Sequence, residues 1–134
     1  MGVASAELAA IPVFSSLSRS ELEELAAWFE PKTAREGVRL TGEGDSGYSF
    51  FVLAEGDAVV TSNGAEVASL HAGDYFGEVA ILGDGRRSAT VRTTTPAKLF
   101  VLFGTDFREL QRTQPAIADE IEASMRERLA RQPL

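Results

Sequence analysis

Apolar positions along the chain follow one period, then another, then the first again. Leu22, Leu25, Ala26 and Phe29 recur at the spacing of one helix face, and Ser18 with Glu21 three residues later forms a capping-box pattern. The spacing predicts an amphipathic helix starting near Leu17 and ended by Pro31, with Pro12 imposing an extended or turn-like approach before Phe14. From Val38 to Phe103 the pattern shortens to β-branched and aromatic runs, which predict strands at 38–40, 49–53, 58–61, 66–70, 89–93 and 99–103. Glycine-bearing turns separate these runs: Gly42-Glu43-Gly44-Asp45, Glu55-Gly56-Asp57 and Asn63-Gly64, the last a two-residue hairpin signal. Helical spacing returns at 105–112 and again from Pro115 to about Leu129. In the second of these helices Ile117, Ile121, Met125 and Leu129 form one apolar stripe among charged residues.

Short strands at regular intervals with helices before and after predict a mainly β fold: an antiparallel β-barrel or jelly roll with an N-terminal helix and two C-terminal helices. A length of 134 residues suits one core, and no internal repeat or linker-like tract divides it. The expectation is a single domain over 1–134, with a helical segment at about 1–31, the barrel at about 32–103 and closing helices at about 104–130. The apolar stripe of the last helix calls for a partner, and pairing of two copies or docking on an effector protein would provide one.

Charge and composition narrow the function. The formal net charge is -7, which repels a polyanion and makes nucleic acid a poor partner. The chain has no cysteine and one histidine, His71, so disulfides, thiolate metal sites, thiol nucleophiles and multi-histidine metal clusters are all excluded. No run approaches the ~20 apolar residues of a membrane span, and the N-terminus lacks a secretory pattern, so no membrane partner and a cytoplasmic location are expected. No nucleophile with a histidine base can be read, which argues against an enzyme.

The stretch that breaks the β pattern runs from Gly73 to Val91. Residues 77–82 lack strand alternation and suit one short helical turn, whose first amides would be unpaired and able to bind an anion. Gly77 lets backbone come close to a phosphate, and Arg87, nine residues after Glu78, carries a planar fork that matches paired phosphate oxygens. Glu78 would repel a phosphate but can accept a hydrogen bond from a sugar hydroxyl, and phosphate beside ribose describes a nucleotide. The same residues also allow a plainer account, an ordinary turn with a Glu78–Arg87 surface ion pair worth at most about 1 kcal/mol.

This run, Phe76-Gly77-Glu78-Val79-Ala80-Ile81-Leu82 followed by Arg87-Ser88-Ala89-Thr90, closely resembles the phosphate-binding cassette of the cyclic-nucleotide-binding domain family. Phe14, Leu17, Gly37, Gly44-Asp45, the Gly56 turn and the two closing helices fall where that family has them, so the resemblance covers nearly the whole chain. It implies that Arg87 binds the exocyclic phosphate oxygens, that Glu78 takes the ribose 2′-hydroxyl, and that amides near Gly77, Val79 and Ala80 complete the cup, with Ser88 and Ala89 beside them. The implied ligand is a cyclic nucleoside monophosphate, with cAMP favoured over cGMP. The implied role is that of a sensor whose C-terminal helices move when the cup fills. Arg86 stands where many members carry proline. The final helix has no aromatic residue to stack on the base, which leaves Met125 or Leu129 to cover it. The alternative within the family is a degenerate domain that serves as a protein-interaction scaffold.

Overall fold

The computed structural model describes residues 3–41, 49–77 and 89–131. Two short elements precede the first predicted helix: α1, Ser5–Ala9, and a 3-10 turn, Pro12–Phe14, with Pro12 at its first position, where a missing N–H costs nothing. The predicted capping box then forms. Ser18 Oγ accepts from the Glu21 amide at 3.2 Å, Glu21 Oε1 accepts from the Ser18 amide at 2.9 Å, and α2 runs over Arg19–Ala26.

Eight strands follow in two sheets. β1 (Glu30–Ala34), β8 (Ala97–Phe103), β3 (Ser49–Glu55) and β6 (Tyr75–Phe76) lie in that order in the first sheet. β2 (Arg39–Thr41), β7 (Thr90–Thr93), β4 (Ala58–Ser62) and β5 (Ala65–Leu70) form the second. Every pairing is antiparallel. Among the described residues no pairing joins one sheet to the other, so of the expected barrel or jelly roll the structure has the two-sheet form and not a closed barrel. β1 is absent from the sequence reading because Pro31 signalled only the end of a helix. On an edge strand, paired on one side with β8, a proline is tolerated.

β3 and β8 are buried on both faces, and their side chains alternate between two cores. Phe50, Val52, Phe100 and Leu102 point outward into a helical core with Phe14, Leu25, Phe29, Phe107 and Leu110. Phe51, Leu53, Leu99 and Val101 point inward, against Ala58, Val60 and Val91 of the second sheet. The in-register pairs Phe50↔Leu102 and Val52↔Phe100 serve the outer core, while Phe51↔Val101 and Leu53↔Leu99 serve the inner one. A chain of aromatic contacts crosses the outer core, Phe14 to Phe29 at 5.8 Å and Phe29 to Phe50 at 6.4 Å, both edge-on, an arrangement favoured by the ring quadrupoles.

β8 leads directly into α3, Gly104–Thr113, which is followed by α4, Pro115–Arg131. The stripe predicted to seek a partner finds one within the chain: Ile117, Ile121 and Met125 are buried with Phe14, Leu17 and Leu110. Ser16 Oγ donates to Glu120 at 2.9 Å and Gln111 Nε2 donates to Glu122 at 2.8 Å, which fixes α4 against the 3-10 segment and α3.

Tight turns close the sandwich. Asn63 (φ 53°) and Gly64 (φ 78°) both adopt the left-handed conformation that a two-residue hairpin requires. Gly56 (φ 95°) is more constrained, because an added Cβ would collide with the Pro96 carbonyl oxygen and lie 2.9 Å from Thr95 Oγ1. Gly64 has open space around it. Gly64→Ala is expected to cost about 1 kcal/mol from backbone strain alone, and Gly56→Ala about 2–4 kcal/mol from strain and overpacking together. Urea unfolding of the two variants beside the parent checks that order.

Candidate functional site

The chain leaves one sheet and joins the other across residues 78–88. On the departing side, Phe76 at the end of β6 is the register partner of Phe51 and stacks on it, with ring centroids 4.9 Å apart and planes inclined by 10°. That stack holds a two-residue edge strand in place. Gly77 then turns away with φ 80°, a left-handed conformation that costs a residue bearing a Cβ about 1–3 kcal/mol. On the returning side, Ala89 is half-buried against the inner core. Thr90 and Val91 then pair with Thr61 and Val60 of β4.

Strand register puts both rims at one end of the sandwich. β2 finishes there at Thr41 opposite Val91, β4 and β5 turn there at Asn63-Gly64, and β8 passes there into α3 at Phe103. Behind the rims the interior is apolar, lined by Phe51, Phe76, Val91 and Val101 with Leu40 and Ala68. Such an interior accepts a flat, weakly polar group but penalises a charge that brings no partner. A charged ligand at this end therefore needs its charge met at the rims or on the connection between them. Sequence reasoning does not single out Leu40, Phe51 or Ala68. The signal that could have found them is strand parity, since each shares the inward face with its buried neighbours.

Of the predicted ligand-binding residues, Gly77 and Ala89 stand at the two rims. Glu78, Val79, Ala80, Arg87 and Ser88 lie outside the described residues, as do the predicted short helical turn and the Gly42-Glu43-Gly44-Asp45 turn. The proposed base-covering role of Leu129 concerns a side chain that is likewise outside them. Met125 does not fit such a role in this arrangement, because it is fully buried in the helical core on the outer face of the first sheet.

The opposite end of the sandwich holds three turns joined by polar contacts. His71 Nδ1 lies 2.8 Å from Asp57 Oδ1, the His71 amide donates to Asp74 Oδ2 at 2.7 Å, and the Asp57 amide donates to Thr95 Oγ1 at 2.9 Å. The hydrogen bond with Asp57 raises the His71 pKa above the usual imidazole value, and the charges of Asp57 and Asp74 act in the same sense. Among the described residues no three carboxylate or imidazole groups come together as metal ligands, and no helix is long and apolar enough to cross a membrane.

Gly77 and Ala89 thus stand at one end of a helix-backed β-sandwich with an apolar interior. The chain belongs to the cyclic nucleotide-binding domain family, whose model, described as "Cyclic nucleotide-binding domain", matches residues 31–114. It is 33% identical over 121 residues to a cyclic nucleotide-gated potassium channel of Rhizobium etli, a match covering 90% of this chain and 34% of the channel. It is 38% identical over 104 residues to a cAMP-dependent protein kinase regulatory subunit of Eremothecium gossypii, covering 77% of this chain and 23% of that subunit. Among solved structures, cAMP-bound PfPKA-R superposes with a TM-score of 0.76 at 25% identity, covering 92% of this chain and 45% of the other. The chain thus spans about a third or less of the length of these curated relatives.

The His71–Asp57 contact gives a prediction with a defined sign. Because the folded-state pKa of His71 is raised, the contribution of the pair to stability is fully present below the imidazole's unfolded value and is lost as pH rises through the folded value. Asp57→Asn is expected to return the His71 pKa toward 6.5 and to remove that pH dependence. Titration of the imidazole resonances of the single histidine checks it.

Proposed function

We propose that this domain is a cyclic-nucleotide sensor that binds cAMP in preference to cGMP and does no chemistry on it. The observation that carries the reading is the position of the Phe76-Gly77-Glu78 to Arg87-Ser88-Ala89 motif. Its first glycine leaves one sheet in the left-handed conformation, and its last alanine rejoins the other beside an apolar interior. In this reading the base enters between the sheets and the cyclic phosphate stays at the rim. Arg87 meets the exocyclic oxygens through its guanidinium fork, and amides of Gly77, Val79 and Ala80 donate to the same anion. Glu78 accepts from the ribose 2′-hydroxyl, while Ser88 and Ala89 close the returning side. The relatives support cAMP as the ligand: one is a cAMP-dependent protein kinase regulatory subunit, and the superposed PfPKA-R structure is cAMP-bound.

Output follows from connectivity. Phe103, at the same end as Gly77 and Ala89, is the last residue of β8, and α3 begins at the next residue. A ligand that draws the rims together acts within a short covalent distance of the closing helices. Movement of α4 would uncover Ile117, Ile121 and Met125, which now sit in the outer core, and the exposed stripe would then serve an effector partner or a second copy. A ligand shifts such an equilibrium only by the difference in its affinity for the two states.

Isothermal titration with cAMP and cGMP tests this reading. Removing a buried charge that pairs with a ligand typically costs about 2–5 kcal/mol, so Arg87→Ala is expected to weaken cAMP binding roughly 30-fold to several thousand-fold. cAMP should compete out cGMP, and the recovered nucleotide should be chemically unchanged. A folded parent chain that binds neither nucleotide would replace the sensor reading with that of an interaction scaffold.

A further inference from the structure

A second cleft, of about 360 Å3, opens on the helical side of the first sheet, at the end remote from Gly77 and Ala89. Glu7 and Ile11 of the N-terminal segment form one wall, Ala54 and Glu55 at the end of β3 the other, with Gly73 and Phe100 between them. This volume lies at the small end of the ~300–1,000 Å3 typical of ligand pockets.

The charges beside it are not balanced. Lys98 Nζ donates to Glu7 Oε2 at 3.0 Å and sits 5.5 Å from the centroid of the Phe100 ring. The hydrogen bond between them raises the Lys98 pKa and lowers that of Glu7, so both are charged. Glu7 is engaged at both oxygens, since its Oε1 also accepts from the Ala4 amide at 3.4 Å. Glu55 faces Lys98 across the β3–β8 pair, but among the described residues its carboxylate makes no hydrogen bond. Lys98 is also attracted to the Glu55 charge, so two carboxylates share one ammonium and the group keeps a net negative charge beside apolar Ile11, Ala54 and Phe100. Lys98 is the chain's own precedent for an amine with an apolar stem at this surface, with its ammonium on a carboxylate and its ring contact on Phe100.

We propose that this cleft is a binding site for a small organic monocation with an apolar body, whose ammonium pairs with Glu55 and whose body lies against Ile11, Ala54 and Phe100. The residual charge at the cleft and the net charge of -7 over the chain both select against an anion. A net charge of one matches a single ammonium, and Glu55 as the one carboxylate without a hydrogen bond is too few for a metal ion. The site is separate from the proposed nucleotide site, so it can be tested without nucleotide.

Phenethylammonium and its anionic counterpart of similar size, 3-phenylpropanoate, are titrated into the nucleotide-free chain while amide resonances are followed. The expected result is saturable shifts at Ala54, Glu55 and Gly73 with phenethylammonium and none with 3-phenylpropanoate. Glu55→Gln, an exposed and conservative change, is expected to weaken binding about two- to five-fold, the range of an exposed ion pair, and added salt should weaken it further. Absence of saturable binding by phenethylammonium overturns the proposal. So does equal binding of the two probes, or an unchanged affinity in a folded Glu55→Gln variant.

Discussion

The rest of the structure depends on a sheet whose central strands are buried on both sides. β3 and β8 place Phe50, Val52, Phe100 and Leu102 in the helical core and Phe51, Leu53, Leu99 and Val101 in the inner core, so neither core can be repacked without the strands that line the other. Interiors packed to near-crystalline density transmit displacement rather than absorb it. The inner core and the helices resting on the outer core are therefore separated by the thickness of one sheet. Phe51 illustrates the economy of this design. It stacks on Phe76, which positions Gly77, while its chain neighbour Phe50 packs in the outer core against Phe29 and beside Tyr75.

That two-sided burial also explains which parts of the fold can be read in the sequence. The capping box at Ser18 and Glu21, the Asn63-Gly64 hairpin and the stripe at Ile117, Ile121 and Met125 are local signals, and each forms where its pattern places it. The predicted strands fall within a residue or two of those observed, because β-branched and aromatic runs bounded by glycine turns carry their own limits. What the local pattern lacks is pairing partners. Pro31 ends a helix but also sits in an edge strand, and only its register opposite Phe100 distinguishes the two roles. Tyr75–Phe76 is too short to show a period and exists as a strand because Phe51 and Val52 pair with it. Regular strand spacing leaves a barrel and a jelly roll equally open. The pairings give two sheets.

The candidate site was legible for a different reason. Its central residues form one contiguous run, so chemistry and spacing can be read together without tertiary information; of that run the described residues include Phe76 and Gly77 before residues 78–88 and Ala89 and Thr90 after them. The apolar lining behind the rims, Leu40, Phe51 and Ala68, comes from three separate strands and becomes a surface only once the sheets face each other. The fate of Met125 has the same origin. Helical spacing shows that it lies on an apolar stripe, whereas its burial against the N-terminal helices, away from the sandwich interior, depends on how α4 packs.

The central proposal is that a nucleotide held at the Gly77 and Ala89 end of the sandwich acts on the helices through the two-faced sheet. The most direct test is hydrogen–deuterium exchange of the whole chain with and without saturating cAMP. The account predicts slower exchange around residues 77–89 together with altered exchange in Gly104–Thr113 and Pro115–Arg131. Protection confined to residues 77–89, with both closing helices unchanged, would contradict it.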